Sequence, residues 1–288
     1  MKPRLPSRSR EAGAPGGTTG NRFPRELLVN LTMRQIRGTY KRSTLGFGWS
    51  MLNPLVSIAV YALVFRVVLQ VEAPVGDPSG VHNYGLFLVA GILPWQYHVA
   101  GLVSQTASLA ANRPLIEKVY FPRWTVPASS LAAVLFEFLI EMAVLLVIMA
   151  IFFHAGSLLW VPVLVVVITL QTAFLFGLGQ ILSIMNARFR DTEHLIRLVT
   201  QIWFWLTPII YPISLVAARD KQILGIDLVT LYKLNPMVWF IDSYRALLYD
   251  VRGPTITMFA AMFGWAAGTL VVGRWYFRRN EARIAERL

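Results

Sequence analysis

The sequence predicts an all-α membrane protein with six transmembrane helices, an N-terminal interfacial amphipathic helix and an outer re-entrant hairpin before the last span. Three observations point there. The chain is 56% hydrophobic and only 15% charged, with a mean hydropathy of +0.54, whereas soluble domains run about 45–50% apolar and about 25% charged. Six apolar segments are long enough to span, or nearly span, a ~30 Å hydrocarbon core at 1.5 Å per residue. The stretches joining them alternate between rich and empty in lysine and arginine.

Composition also excludes several chemistries. The chain has no cysteine, which removes a disulfide framework, a cysteine zinc site, an iron–sulfur cluster and a thiol nucleophile. The formal charge of +12 fits basic residues held against anionic lipid on the cytoplasmic side, and not a nucleic-acid partner.

Residues 1–22 are basic and rich in Gly and Pro, without the apolar run of a signal peptide, and predict a disordered cytosolic tail. Residues 23–288 form the membrane domain. In residues 23–49, Val29, Met33, Ile36 and Tyr40 make one helical stripe beside Arg34, Arg37 and Lys41. Leu27, Leu28 and Leu31 add a second apolar patch. Such a helix lies in the interface plane, either as a plain anchor or with Arg37, Lys41 and Arg42 also meeting a phosphate-bearing lipid.

The expected spans are 50–69, 84–110, 124–153, 158–184, 195–211 and 255–276, the second broken at Pro94. Residues 1–46 carry ten Lys/Arg, 109–123 three, 186–197 three and 274–288 five, whereas 70–83 and 154–160 carry none. This alternation places both termini in the cytoplasm. Residues 212–254 hold five basic residues on the outer side, a long loop of the kind that obeys the rule poorly. Within it, PMVWFIDSYRALLY is too short to cross, and predicts the re-entrant or interfacial hairpin.

Several groups carry chemistry. Residues 112–123, NRPLIEKVYFPR, form a cytosolic elbow framed by Pro114 and Pro122. Leu115, Ile116, Val119 and Tyr120 give it an apolar side, and Arg113, Glu117, Lys118 and Arg123 a polar one. It either rests on the interface or plugs a partner's groove. A second charged elbow holds Arg188, Arg190, Asp191, Glu193 and Arg197 and runs straight into the fifth span. Tyr61, Phe65, Trp95, Tyr97, Trp203, Phe204, Trp205 and Tyr211 concentrate aromatic rings in the first, second and fifth spans, as interface belts and packing or as a pathway that stacks on sugar rings. Glu137 and Glu141 sit one turn apart in the third span, as a structural contact or a proton-coupling pair. The four histidines lack metal-ligand spacing, and there is no Walker motif or nucleophile elbow.

Six stretches in order, YKRSTLGFGWSMLNPL (40–55), GILPWQYH (91–98), NRPLIEKVYFPRWTVP (112–127), NARFRDTEHL (186–195), LTPIIYP (206–212) and LNPMVWFIDSYRALL (234–248), carry a resemblance. The chain resembles the membrane subunits of bacterial ATP-binding-cassette exporters for O-antigen, capsule, teichoic acid and lipid-linked galactan. The resemblance implies a permease of the cytoplasmic membrane that pairs with itself and with two copies of a cytosolic ATPase, which holds the ATP and Mg; this chain needs no cofactor. By the same resemblance, Asn112, Arg113, Leu115, Ile116, Glu117 and Tyr120, with Arg190 and Asp191, couple to the ATPase. Arg37, Lys41 and Arg42 flank entry of a polyprenyl-pyrophosphate-linked glycan, the aromatic groups line its path, and Asn235, Pro236, Tyr244 and Arg245 form an outer gate.

The expected function is therefore a transport subunit, not an enzyme, in an ATP-driven exporter of lipid-linked polysaccharide. The rivals are a drug or small-lipid exporter of the same class, a polyprenyl-lipid enzyme using Asp220, Asp227, Asp242 or Asp250, and a proton-driven carrier using Glu137 and Glu141.

Overall fold

The computed structural model describes residues 22–40, 46, 48–68, 70, 74–153, 155–217, 222–223 and 225–281. The N-terminal tail, Lys41, Arg42 and the Phe65 side chain lie outside the described residues. What is described is helical apart from one ladder of two-residue strands, Gln222–Ile223 with Ile226–Asp227.

Helix α1 spans Arg22–Tyr40. Its buried residues are Leu31 and Ile36, while Val29 and Met33 of the expected stripe face outward. Each expected apolar set thus contributes one buried residue, and Leu31, backed by Leu27, joins a cluster with Leu109, Ile116, Phe121, Val126, Ile184 and Phe277. Gln35 adds a polar tie, its Nε2 donating to Ser130 Oγ at 2.9 Å.

Helix α2 spans Gly48–Ala62 and continues as a π-helical turn over Leu63–Val68. Helix α3, Tyr84–Ala111, is the axis of the bundle and is buried along most of its length. Asn83 caps it, accepting from the Leu86 N–H at 3.2 Å, as N-cap asparagines do. The expected break at Pro94 does not occur. The helix runs through it, and Gln171 donates to the Pro94 carbonyl at 2.9 Å, a polar tie between α6 and α3.

After the short α4 (Arg113–Lys118) come α5 (Thr125–Phe152), α6 (Val161–Arg188, entered through the 3-10 turn Ala155–Trp160) and α7 (Thr192–Trp205). Short helices α8 (Ile213–Ala217) and α9 (Leu228–Lys233) lead to α10 (Pro236–Leu248), and α11 (Ile256–Asn280) ends the described chain. Among the described residues, four helices are long and apolar enough by themselves to cross a membrane: Tyr84–Ala111, Thr125–Phe152, Gly156–Arg188 and Ile256–Asn280.

The fifth expected span is helical over only about two-thirds of a crossing. At 1.5 Å per residue α7 is about 21 Å long, short of the ~30 Å core. It stops at Trp205 because Pro208 follows, and a proline ring disfavours helical backbone at the residue before it. Helix α10 does not lie on a surface either. Ten of its residues, Met237 to Leu248, are buried, packed against α3, α6 and α11.

The tightest helix pair is α6 with α11. A Cβ built on Gly273 would fall 2.2 Å from the Gly177 carbonyl oxygen, and one on Gly177 would fall 2.3 Å from the Thr269 carbonyl carbon. Two glycines thus let the backbones touch, the usual device for helix association where lipid offers no hydrophobic drive.

Candidate functional site

The two ends of the bundle carry different machinery. At one end, Ile116 of α4, Leu31 of α1, Ile184 near the end of α6 and Phe277 near the end of α11 share a buried cluster. The first elbow and the C-terminal ends of α6 and α11 therefore sit together, and the second elbow leaves α6 one turn beyond Ile184.

Asn112 is the joint of the first elbow. Its backbone N–H donates to Ser108 and Leu109 carbonyls at 3.2 Å, closing α3, and its carbonyl accepts from Leu115 and Ile116, opening α4. Its side-chain Nδ2 donates to the Ser108 carbonyl at 2.9 Å, and its Oδ1 accepts from the Arg34 guanidinium. Pro114 opens α4 without wasting an N–H. Ile116 is the buried foot of the elbow, with Leu115 packed beside it.

Past the end of α4, Val119 is exposed and Tyr120 is 96% exposed. Arg113 and Glu117 pair at 2.7 Å on the solvent side, each nearly half exposed, a contact worth at most about 0.5 kcal/mol. The exit of the elbow is tied to the last helix: the Arg123 N–H donates to Glu281 Oε1 at 3.1 Å, and its guanidinium to the Glu281 carbonyl.

In the second elbow, Arg190 and Asp191 are exposed. Thr192 pins the turn by donating to the Phe189 carbonyl at 2.7 Å, and Phe189 stands 58% exposed under the Arg188 guanidinium. Each elbow thus presents an outward aromatic ring on a framework fixed from behind. Arg37 is exposed on α1.

The opposite end gathers around the early stop of α7. Asn235 caps α10, its Oδ1 accepting from the Met237 N–H at 3.0 Å and from Trp203 Nε1 at 2.8 Å. Its Nδ2 donates to the Leu206 carbonyl and to Thr207 Oγ1. Arg245, 6% exposed, donates from Nη1 to the Pro208 carbonyl at 2.6 Å and from Nη2 to the Ile209 carbonyl. Its Cζ lies 3.8 Å from the centre of the Phe87 ring, and Gly91 leaves the room it needs. Pro236 takes the first helical position. The Leu206, Pro208 and Ile209 carbonyls just past the end of α7 are therefore served from α10 and its cap. The nearby loops close on one another: Tyr84 donates to the Ile210 carbonyl at 2.6 Å, and Trp160 to the Val251 carbonyl at 3.1 Å.

The aromatic residues divide. Trp95 packs edge-on against Trp203 and Phe204, with centroids 6.1 and 5.8 Å apart, Trp205 follows at 63% exposure, and Tyr61 packs partly buried against the core. Tyr97 is elsewhere. Its ring stacks on Phe138 at 4.5 Å and its hydroxyl meets Thr172 Oγ1 at 2.8 Å. Positions i and i+2 do not face the same way on a helix, so Trp95 and Tyr97 serve different surfaces. Tyr244 is likewise interior, donating to Gln171 Oε1 at 2.8 Å. Glu137 and Glu141 are half-buried on α5, each engaged within the fold.

Sequence reasoning put Arg34 on a basic face without its tie to Asn112, and missed Gln35, Glu281 and Gln171. The last carried a usable signal, a glutamine amid an apolar helix, since such a side chain must find partners inside the bundle.

Comparison with known proteins fits this arrangement. The model of the family described as ABC-2 type transporter matches residues 26–249. The O-antigen export system permease protein RfbA of Myxococcus xanthus is 30% identical over 257 residues, 87% of this chain and 93% of that protein. Two proteins of the same name from Klebsiella pneumoniae are 31% and 30% identical over 225 residues, 78% of this chain and 81% of each relative.

Proposed function

The chain belongs to the ABC-2 type transporter membrane family, and on that premise we propose that it is the transmembrane subunit of an ATP-driven exporter moving a lipid-linked polysaccharide across the cytoplasmic membrane. The supporting observation is the first elbow, a short helix anchored by buried Ile116 and Asn112 that holds Tyr120 almost wholly in solvent. An aromatic side chain fixed on a rigid mount and left uncovered suits a groove on a partner, because tyrosine brings large apolar area at low entropic cost. Likeness to relatives named for O-antigen export, over most of both chains, supports the substrate class.

In this reading two copies of the chain pair, each with a cytosolic ATPase that carries ATP and Mg, and both termini face the cytoplasm. The six-span count takes the 48–68 run as the first crossing and α7 with its trailing turn as the fifth. Arg37, with Lys41 and Arg42, meets the pyrophosphate of a polyprenyl carrier by charge-assisted bonds. Trp203, Phe204 and Trp205, with Trp95 and Tyr61 behind them, offer sugar-stacking faces along the path. Closure of the ATPases pushes Tyr120 and the Arg190–Asp191 turn. Packed helices answer by moving between discrete arrangements, and α10 moves with the end of α7 because Asn235 and Arg245 bind that turn.

The test is purification of the tagged chain from its native membrane in mild detergent, followed by reconstitution. Near-equal recovery of an ATPase whose hydrolysis rises with added polyprenyl-linked glycan supports the reading. Crosslinked preparations without an ATPase, or hydrolysis indifferent to the glycan, overturn it.

A further inference from the structure

Two adjoining grooves lie along the flank where α5, α6 and α11 meet. One part, of about 800 Å³, lies between α6 and α11 and is lined by Gln180, Arg274, Trp275, Arg278 and Arg279 among others. A second, of about 550 Å³, lies between α5 and α6 and extends to Leu139 and Val165. Phe176 and Leu270 line both, so the two parts adjoin at these side chains.

The ends differ sharply in chemistry. The second part is apolar except for two threonines, whose hydroxyls already donate to Val165 and Ile168 carbonyls at 2.7 Å. The first holds three guanidinium groups, and among the described residues none of them lies within ion-pair distance of a carboxylate. Glu281, one turn beyond Arg278, accepts the Arg123 backbone N–H with one carboxylate oxygen and reaches Arg274 only through space. Arg274 and Arg278 are four residues apart, a spacing at which like charges repel on a helix.

Basic residues at the end of a helix are ordinarily a solvated, dipole-favoured cap. Gln180 argues for more. It is 1% exposed and lines the same groove, yet among the described residues neither atom of its amide has a partner. An amide buried without a partner is destabilising, and a small turn of this side chain towards the groove lets a ligand oxygen accept from it.

We propose that the adjoining grooves bind one anionic phospholipid of the surrounding bilayer, its phosphate between Arg274, Arg278 and Gln180 and one acyl chain along the α5–α6 run. The dimensions suit this. From Gln180 to Val165 the grooves follow α6 for roughly 22 Å, somewhat more than the depth of one leaflet, half of a ~30 Å core. Trp124 and Trp275 flank the charged end, within 5.8 Å of Arg274 and 5.6 Å of Arg279, where amphipathic indoles settle at headgroup level. Basic pockets between membrane helices are a recurrent means of holding acidic headgroups. The site rests on the membrane reading of the chain and does not depend on what it exports.

The experiment is native mass spectrometry of the full chain, delipidated in detergent and titrated with phosphatidylglycerol or phosphatidylcholine of identical acyl chains. One phosphatidylglycerol per chain should survive activation that strips phosphatidylcholine. The variant Arg274→Gln/Arg278→Gln should retain it at least tenfold less. Gln180→Leu separates binding from folding, because it removes an unsatisfied amide. It should melt at or above the parent temperature when delipidated, yet lose several-fold in phosphatidylglycerol retention. Equal retention of the two lipids, undiminished retention by both variants, or full displacement by millimolar inorganic phosphate would overturn the proposal.

Discussion

Arg34 on the first helix donates to the side-chain oxygen of Asn112, the residue at which α3 ends and α4 begins. Two segments distant in sequence thus share the joint on which the first elbow turns. Replacing Arg34 with Gln, or Asn112 with Ala, should cost only about 0.5–1.5 kcal/mol of stability. The larger effect is expected on coupling. Substrate-stimulated ATPase activity of the reconstituted complex should fall several-fold more than the yield of folded complex.

Tyr120 offers the opposite balance. At 96% exposure it contributes almost nothing to the isolated fold, so Tyr120→Ala should leave thermal stability within about 0.5 kcal/mol of the parent. Recovery of the ATPase in pull-downs should drop, as interface aromatics commonly cost about 2 kcal/mol or more when truncated. Unchanged recovery and export would leave the elbow without its assigned role.

The helix crossing at Gly273 can be tested with a control on its own helix. Gly273→Ala places a Cβ 2.2 Å from a backbone oxygen, whereas Gly268→Ala meets nothing within 4 Å. The first should destabilise by about 1–3 kcal/mol or more, since backbone cannot yield as a side chain does. The second should be neutral or slightly stabilising. Melting in detergent, followed by size exclusion, distinguishes them.

Arg245→Gln would leave the Pro208 and Ile209 carbonyls without their shared donor in a buried setting. A loss of roughly 1–3 kcal/mol for each is expected, with faster proteolysis in the 206–212 turn. Arg245→Lys should fall between, keeping the charge but not the planar fork. A stable Arg245→Gln protein with a protected turn would show that α10 is held in some other way.

Much of the architecture was legible because helix length and the turn residues at helix ends are local properties. Asn112 and Pro114 marked a helix junction, and the long spans ended within a few residues of their expected limits. Which side of a helix faces protein was not legible, since lipid and protein interior are both apolar. Leu27 and Leu31 pack while Val29 and Met33 do not, and hydrophobicity alone does not rank them. Tyr97 was grouped with Trp95 by sequence proximity, although two residues along a helix reverse the direction of the side chain. The short α7 escaped notice because apolar character continues past Trp205, while the backbone obeys Pro208. Arg245 was singled out as a gate residue by resemblance, but its carbonyl partners lie 36 and 37 residues back, a relation that no local pattern encodes.

That last separation sets a schedule for biosynthesis. The carbonyls of Leu206, Pro208 and Ile209 are made first, and the side chains that satisfy them, Asn235 and Arg245, arrive only after about thirty more residues. At roughly 5–20 residues per second, the delay is a few seconds. Until then the turn after α7 lacks these donors, and a buried carbonyl left bare is costly. Its folding is therefore completed by α10. A chain halted between Trp205 and Arg245 would remain a folding intermediate, still dependent on water or the translocation machinery.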